Sequence, residues 1–293
     1  MEINEFFNAS ESLKVNLINQ EVNLARNNRS NIFFGFGNDK DVIRKNGQIA
    51  KWKDWMLWIG DSSWRISQND KYVVGSDDSS NEIKIGIEKL LGTHFLSFDI
   101  NSQFLDISFN FSDDYNVTTF FNWFQYNQWT AFLPKEIAIR VSCFNHKQIR
   151  NVKEISKKFS IKDNYEEIAF PYKDVTLTKI LYKKFDHPIF YFENEFFIDL
   201  RFCAWRLERA NMYLAGYTDL VLSESKNKIY TLMNELIGKK LKKIEANSFM
   251  DAKLEFEDHF ILKNFSCLHS IHQWRIYNKE NPFYAKISML ESI

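Results

Sequence analysis

The chain is predicted to fold as α+β, in two tandem repeated units that each pack a curved antiparallel β-sheet on one main α-helix. Three observations lead there: aromatic residues abound where glycine and proline are scarce, a motif recurs across the midpoint, and each half carries one stretch of helical period followed by stretches of period two. The 28 Phe, 12 Tyr and 8 Trp favour pleated, half-buried surfaces, and only 9 Gly and 4 Pro are on hand for tight turns.

The repeat emerges when the chain is set against itself. Trp64 to Asp78 aligns without gaps with Trp205 to Asp219, and Trp, Arg, Tyr, Gly and Asp coincide. The match continues through Asn81 and Ile83 with Asn227 and Ile229, Leu90 and Gly92 with Leu236 and Gly238, and Asn101-Ser102 with Asn247-Ser248. It ends with Phe111 and Asp113 against Phe256 and Asp258, Phe120 against Phe265, and Gln128-Trp129 against Gln273-Trp274. A boundary is placed in the lysine-rich stretch 145–158. The first unit is then residues 1–145, with its repeat core at about 52–141 behind an N-terminal extension, and the second is 146–293, with its core at about 188–287. Residues 1–50 match the second copy poorly, apart from a faint likeness of Phe33–Phe36 to Phe190–Phe192, and read as decoration on the first unit.

Within a unit the elements follow in order. The aromatic stretches Trp52 to Ile59 and Ile189 to Phe202 supply opening strands. Ile83, Ile87, Leu90 and Leu91, and likewise Ile229, Leu232, Met233, Leu236 and Ile237, recur at helical spacing. Ser80-Asn81 and Ser225 are N-cap candidates, and Gly92 and Gly238 stand where a glycine relieves a left-handed helix end. Alternating apolar residues then mark half-buried antiparallel strands: Phe95, Phe98 and Ile100; Leu105 to Phe111; Val117 to Phe121. Ser112-Asp113-Asp114 and Glu257-Asp258-His259 read as hairpin turns between them.

Charge and composition exclude several functions. Thirty-eight basic side chains balance 38 acidic ones, which removes the electrostatic basis of a dedicated nucleic-acid binder. The balance is uneven along the chain: residues 1–146 hold 14 Lys and Arg against 18 Asp and Glu, and residues 147–293 hold 24 against 20. Lys239 to Lys243 is the densest basic run and reads as a lysine-protected strand edge. No glycine-rich phosphate loop occurs. Acidic groups near Met1 and the lack of a long apolar run predict a soluble, cytoplasmic protein without a membrane span. The three cysteines, Cys143, Cys203 and Cys267, read as buried, reduced thiols.

Candidate chemistry is thin. Cys267, His269 and His272 have the residue types of a zinc site, but no further ligand lies nearby and the first copy has Asn122, Phe124 and Asn127 there, so no metal is expected. Asp77-Asp78 and Asp113-Asp114 could pair carboxylates for acid–base work, yet turn geometry explains them. No catalytic residue and no cofactor is assigned. In Trp64-Arg65 and Trp205-Arg206, neighbouring strand residues face opposite ways, which puts each Trp in the core and each Arg on the other face.

The order Trp-Arg, Gly, helix ending Leu-x-Gly, strand, Phe-x-Asp turn, strand, Gln-Trp resembles small α+β domains among the immunity proteins of bacterial polymorphic-toxin and contact-dependent competition systems. It is carried by Trp64, Gly75, Gly92, Phe111, Asp113 and Trp129, and again by Trp205, Gly216, Gly238, Phe256, Asp258 and Trp274. The resemblance implies a cytosolic, non-enzymatic inhibitor that occludes the active site or substrate groove of a cognate protein toxin. An acidic face of Asp77, Asp78, Asp113 and Asp114 would meet a basic, nuclease-like effector. The alternative is a non-enzymatic scaffold for protein assembly.

Overall fold

Strand alternation governs more of this chain than its sequence predicts. The computed structural model describes residues 15–43, 47–60, 62–100, 106–121, 127–132, 138–142, 165–167, 174–182, 187–193, 196–200, 203–222, 226–247, 249, 251–267, 274–278 and 285–287. The α+β expectation is overturned: among the described residues strand makes up 60% and helix 16%, in three antiparallel sheets. The reason is one of reach. A nine-residue helix is about 13 Å long, whereas five strands side by side span roughly 20 Å, so the helix cannot cover a sheet face. A second sheet covers it instead.

The chain divides into two compact units, one holding the described residues up to Ser142 and the other those from Tyr165 onward. The first contains β1 (Val22–Asn28), β2 (Asn31–Ile43), β3 (Ile49–Ile59), β4 (Ser63–Gln68), β5 (Lys71–Gly75), α1 (Ser80–Glu88), β6 (Phe95–Ile100), β7 (Ile107–Phe111), β8 (Tyr115–Phe120), β9 (Asn127–Phe132) and β10 (Ala138–Ser142). Its sheets run β1-β2-β3-β9-β10 and β5-β4-β8-β7-β6. Phe34 and Phe36 from one sheet meet Phe111 and Phe95 from the other, with ring centroids 5.9 and 6.2 Å apart. Around them Ile32, Leu57, Trp64, Ile66, Phe109 and Val117 complete one apolar core. Each such side chain contributes about 1.5–3 kcal/mol of burial, which explains why these positions alternate so strictly.

The second unit contains β11 (Glu166–Glu167), β12 (Val175–Tyr182), β13 (Pro188–Phe192), β14 (Phe196–Leu200), β15 (Ala204–Arg209), β16 (Met212–Gly216), α2 (Tyr217–Leu222), α3 (Lys226–Asn234), β17 (Lys240–Ala246), β18 (Ala252–Phe256), β19 (Phe260–Phe265), β20 (Trp274–Asn278) and β21 (Ala285–Ile287). They form one sheet in the order β16-β15-β19-β18-β17-β12-β13-β14-β20-β21, with β11 added to β17. Phe190, Phe192 and Ile198 share a core with Trp205, Leu207, Leu254 and Leu262, so the two halves of this sheet face each other.

The units repeat one another bond by bond. Arg65 stands opposite Gly75 and Arg206 opposite Gly216, with a register irregularity one residue on in both hairpins. Tyr72 and the Gly75 amide donate to Asp78, as Tyr213 and the Gly216 amide donate to Asp219. The Asp106 carboxylate accepts from the Phe121 amide at 2.7 Å, and Asp251 accepts from Ser266 at the same distance. Ile59 pairs with Trp129 and Leu200 with Trp274. The equivalence also reaches upstream of residue 52. The Gly92 amide donates to Val22 and that of Gly238 to Leu177, just after Asn19 and Asp174, which both have φ of 62°. β1 and β2 thus hold the places of β12 and β13.

Four hairpin tips are made without glycine. Asn69-Asp70, Asp113-Asp114, Ala210-Asn211 and Asp258-His259 all have positive φ, the backbone of two-residue turns that match strand twist. Asn and Asp tolerate that region best among residues with a Cβ, so nine glycines suffice. Where glycine is used, Gly92 and Gly238 take φ of 83° and 86° beyond the helices. The first helix is capped by Ser79, one residue before the predicted cap, in a reciprocal box with Glu82. It packs against β1 and β5, closing the gap beside the sandwich rather than covering a sheet.

Candidate functional site

Along β4 and β15 the core-facing residues are Trp64, Ile66, Trp205 and Leu207, so Arg65, Ser67, Arg206 and Glu208 project from the opposite face. This second face is polar in both units. In the second unit it is ionic. Arg206 Nε lies 2.7 Å from Glu208 Oε1, with side chains 0% and 2% exposed. Lys263 Nζ approaches Glu208 at 3.9 Å, Lys253 sits 2.9 Å from both Glu245 and Glu255, and Lys243 is 2.6 Å from Glu245. Burial works to lower the Lys253 pKa, but hydrogen bonds to Glu255 and Glu245 overcome it and leave the group raised. Burial likewise pushes Glu245 upward, and its bonds to Lys243 and Lys253 hold it below the usual carboxylate value.

In the first unit the equivalent positions carry hydroxyls and amides. Asn110 Nδ2 donates to Ser97 at 2.8 Å and to Asp99 at 2.9 Å, and Asn116 Nδ2 donates to Asn110 Oδ1 at 2.6 Å. Thr118 bonds Asn116 at 2.6 Å and Ser108 at 3.1 Å. The pairing Ser108–Thr118 matches Lys253–Lys263, Asn110–Asn116 matches Glu255–Ile261, and Asp99–Ser108 matches Glu245–Lys253. One scaffold therefore carries two chemistries, each bonded largely within its own network.

The structure divides the predicted acidic face. Asp113 and Asp114 form the β7–β8 tip, where the Asn69 amide donates to the Asp114 carbonyl at 3.3 Å and Gln68 Nε2 to the Asp113 carbonyl at 3.1 Å. That contact brings Asp70 beside them, a carboxylate the sequence did not single out, although an Asn-Asp pair at a hairpin turn was the available signal. Asp77 and Asp78 follow the other end of β5, whose five residues span roughly 17 Å. Asp78 serves the backbone there, accepting from Tyr72 at 2.6 Å and Gly75 at 2.8 Å, while Asp77 accepts from Ser76 at 3.3 Å.

Other predicted features resolve as follows. Lys239 pairs with Asp258, Lys242 with Asp174 at 2.6 Å and Glu257 at 3.4 Å, so the basic run is tied into its own unit. The hydrogen bond to Asp174 raises Lys242 above the usual lysine value. Trp64 and Trp205 are fully buried and Arg65 and Arg206 lie on the far face. Cys203 and Cys267 are buried free thiols, whereas Cys143, His269 and His272 lie outside the described residues. Among the described residues no group of His, Cys, Asp and Glu is arranged to hold a metal, and no helix is long and apolar enough to cross a membrane. Comparison with protein-family models, with curated proteins and with solved structures finds no match to this chain.

Proposed function

We propose that the chain is a cytoplasmic immunity protein that binds a cognate bacterial toxin and neutralises it by non-covalent occlusion of the active site or substrate groove. The supporting observation is what the two units keep and what they change. Core tryptophans, turn carboxylates and helix-ending glycines recur in register, while the polar faces opposite the cores, buried to half-buried, have diverged from a largely hydroxyl and amide network to an ionic one. A duplicated scaffold that keeps its apolar cores while its polar networks diverge fits a protein whose two copies have been selected for different contacts. The acidic tip of Asp70, Asp113 and Asp114 suits a cationic effector, because complementary charge speeds encounter.

The test is coexpression with any candidate effector found encoded beside this gene. Rescue of growth and a one-to-one complex in size-exclusion chromatography are expected. Growth arrest despite abundant folded protein removes that pairing, and concentration-dependent self-association with no effector complex supports a scaffold instead.

A further inference from the structure

The first unit carries one large insertion relative to its twin. Val22 faces Phe36 as Leu177 faces Phe192, and Phe34 faces Leu57 as Phe190 faces Ile198. Phe36 and Trp55 therefore hold the places of Phe192 and Phe196. Between the latter pair lie Glu193, Asn194 and Glu195, whereas between the former the chain runs from Gly37 to Asp54.

The described residues of that arm form a two-stranded ribbon. Asp39 faces Lys53, Lys40 faces Trp52, Asp41 faces Lys51, Val42 faces Ala50 and Ile43 faces Ile49. Ion pairs of 2.6 Å, Lys51 to Asp41, and 3.0 Å, Lys53 to Asp39, cross it. Its root is fixed by Gly37 at φ 80°, by Asn23 Nδ2 donating to the Gly37 carbonyl at 2.7 Å, and by the Asn38 amide donating to Asp54 at 2.9 Å. It contributes nothing to the main apolar cluster, which passes from Phe36 to Leu57, and Ile49 is 66% exposed. The twin forms its sandwich without such an arm, so folding alone does not account for it.

Pairing of β1 with β2 stops at Phe36. From Asp39 to Ile43, β2 has β3 on one side and no described strand on the other. Backbone donors and acceptors along such an edge are a template for one more strand. We propose that the arm is the partner-contact element, and that an extended segment of a protein partner adds to β2 along Asp39–Ile43. This rests on the binding function proposed above. Protein is favoured over nucleic acid because the edge presents backbone donors and acceptors that an extended chain pairs and a phosphate backbone does not, and the five Lys and Arg of residues 37–54 against three Asp leave an excess of only two. The ribbon is preorganised by its own ion pairs, which lowers the ordering cost of binding.

The probe is the effector whose toxicity the full-length chain relieves. In one variant of the full chain, residues 37–54 are replaced by Glu-Asn-Glu, the twin's own connection. A thermal midpoint unchanged within about 3 °C, a loss of affinity of about 100-fold or more, and protection of the Asp39–Ile43 amides from hydrogen exchange in the unmodified complex are expected. A folded variant that binds within about threefold of the original overturns the role of the arm and leaves the binding function standing. Should the variant not fold, amide exchange in the unmodified complex decides: protection sustains the proposal and unchanged exchange overturns it. If the full-length chain relieves no effector, the binding function and the arm's role fall together.

Discussion

Replacing Gly86 by alanine sets two opposed effects against each other. Helix propensity alone makes the change stabilising by about 1 kcal/mol, since glycine is a poor residue in a helix interior. Packing reverses the sign. A Cβ built on Gly86 meets Val74 Cγ1 at 2.3 Å and Val74 Cβ at 2.6 Å. Carbon atoms settle at about 3.5–4.0 Å, and a new Val74 rotamer moves Cγ1 but not Cβ, so helix and strand must separate by about 1 Å. Overpacking of this kind costs about 1–3 kcal/mol, and with strand backbone behind the Val74 Cβ the upper half of that range applies. The net expectation is a destabilisation of about 1–2 kcal/mol. The twin shows the reciprocal solution at the matching positions, Leu232 on the helix and Ala215 on the strand. Val74→Ala removes the nearer contact and leaves the Cβ one, so the double variant should recover about 1 kcal/mol relative to the sum of the singles. Urea unfolding followed by tryptophan fluorescence and circular dichroism measures this, with each unit's transition fitted separately. An alanine at position 86 that raises stability refutes the close helix-to-strand contact.

Three further outcomes follow from comparing the units. Ala210 holds φ 46°, where its twin position has Asn69, so Ala210→Asn should stabilise the second unit by about 0.5–1 kcal/mol in urea unfolding; no gain would argue against a left-handed turn there. Asn264 leaves its buried Nδ2 without a hydrogen bond, whereas Thr119 at the matching place both accepts from and donates to Ile107, so Asn264→Thr should raise the thermal midpoint, and a fall would show that the amide is satisfied in solution. Glu245 titrates below its usual value when folded, so its stabilising contribution is full above the unfolded pKa of about 4.3 and is lost as pH falls through the folded value. An acid titration should therefore weaken the second unit's transition below about pH 4, and Glu245→Gln should flatten that dependence. A profile identical in the variant would remove Glu245 as its source.

The legible part of the fold is the part set by short-range pattern. Helical spacing from Ile83 to Leu90 and from Ile229 to Leu236 marks helices, and Asp113-Asp114 marks a turn, because each depends on neighbours a few residues away. What covers a sheet depends on distant strands, and here the pattern misleads. The second sheet draws on β1 and β2, whose likeness to β12 and β13 rests on Val22, Phe34 and Phe36 against Leu177, Phe190 and Phe192. The arm from Gly37 to Asp54 interrupts that register, so residues 1–50 look unrelated to the twin. The site shows the same limit. Asp77-Asp78 and Asp113-Asp114 look alike in sequence, but strand pairing sends one pair to each end of the sheet and brings Asp70 to the second. Lys239 to Lys243 reads as a lysine-protected strand edge, yet β17 lies between β18 and β12, and the partners Asp174, Glu257 and Asp258 arrive from other strands and turns.

Both polar networks bond largely within themselves, and this bears on how the copies diverged. Changing one member of a buried ionic network strands its partner at a cost of about 3–5 kcal/mol, whereas an amide or hydroxyl loses about 1–3. The route between Ser67, Ser108 and Thr118 in one unit and Glu208, Lys253 and Lys263 in the other therefore favours paired changes, such as Glu208 with Lys263. Single exchanges between the copies should be worse than paired ones. Ser67→Glu with Thr118→Lys should leave the first unit more stable than Thr118→Lys alone, because each introduced charge then has a partner as near as the 3.9 Å contact of the twin. Equal stability of the single and double variants would mean that solvent, and not the partner strand, satisfies this face.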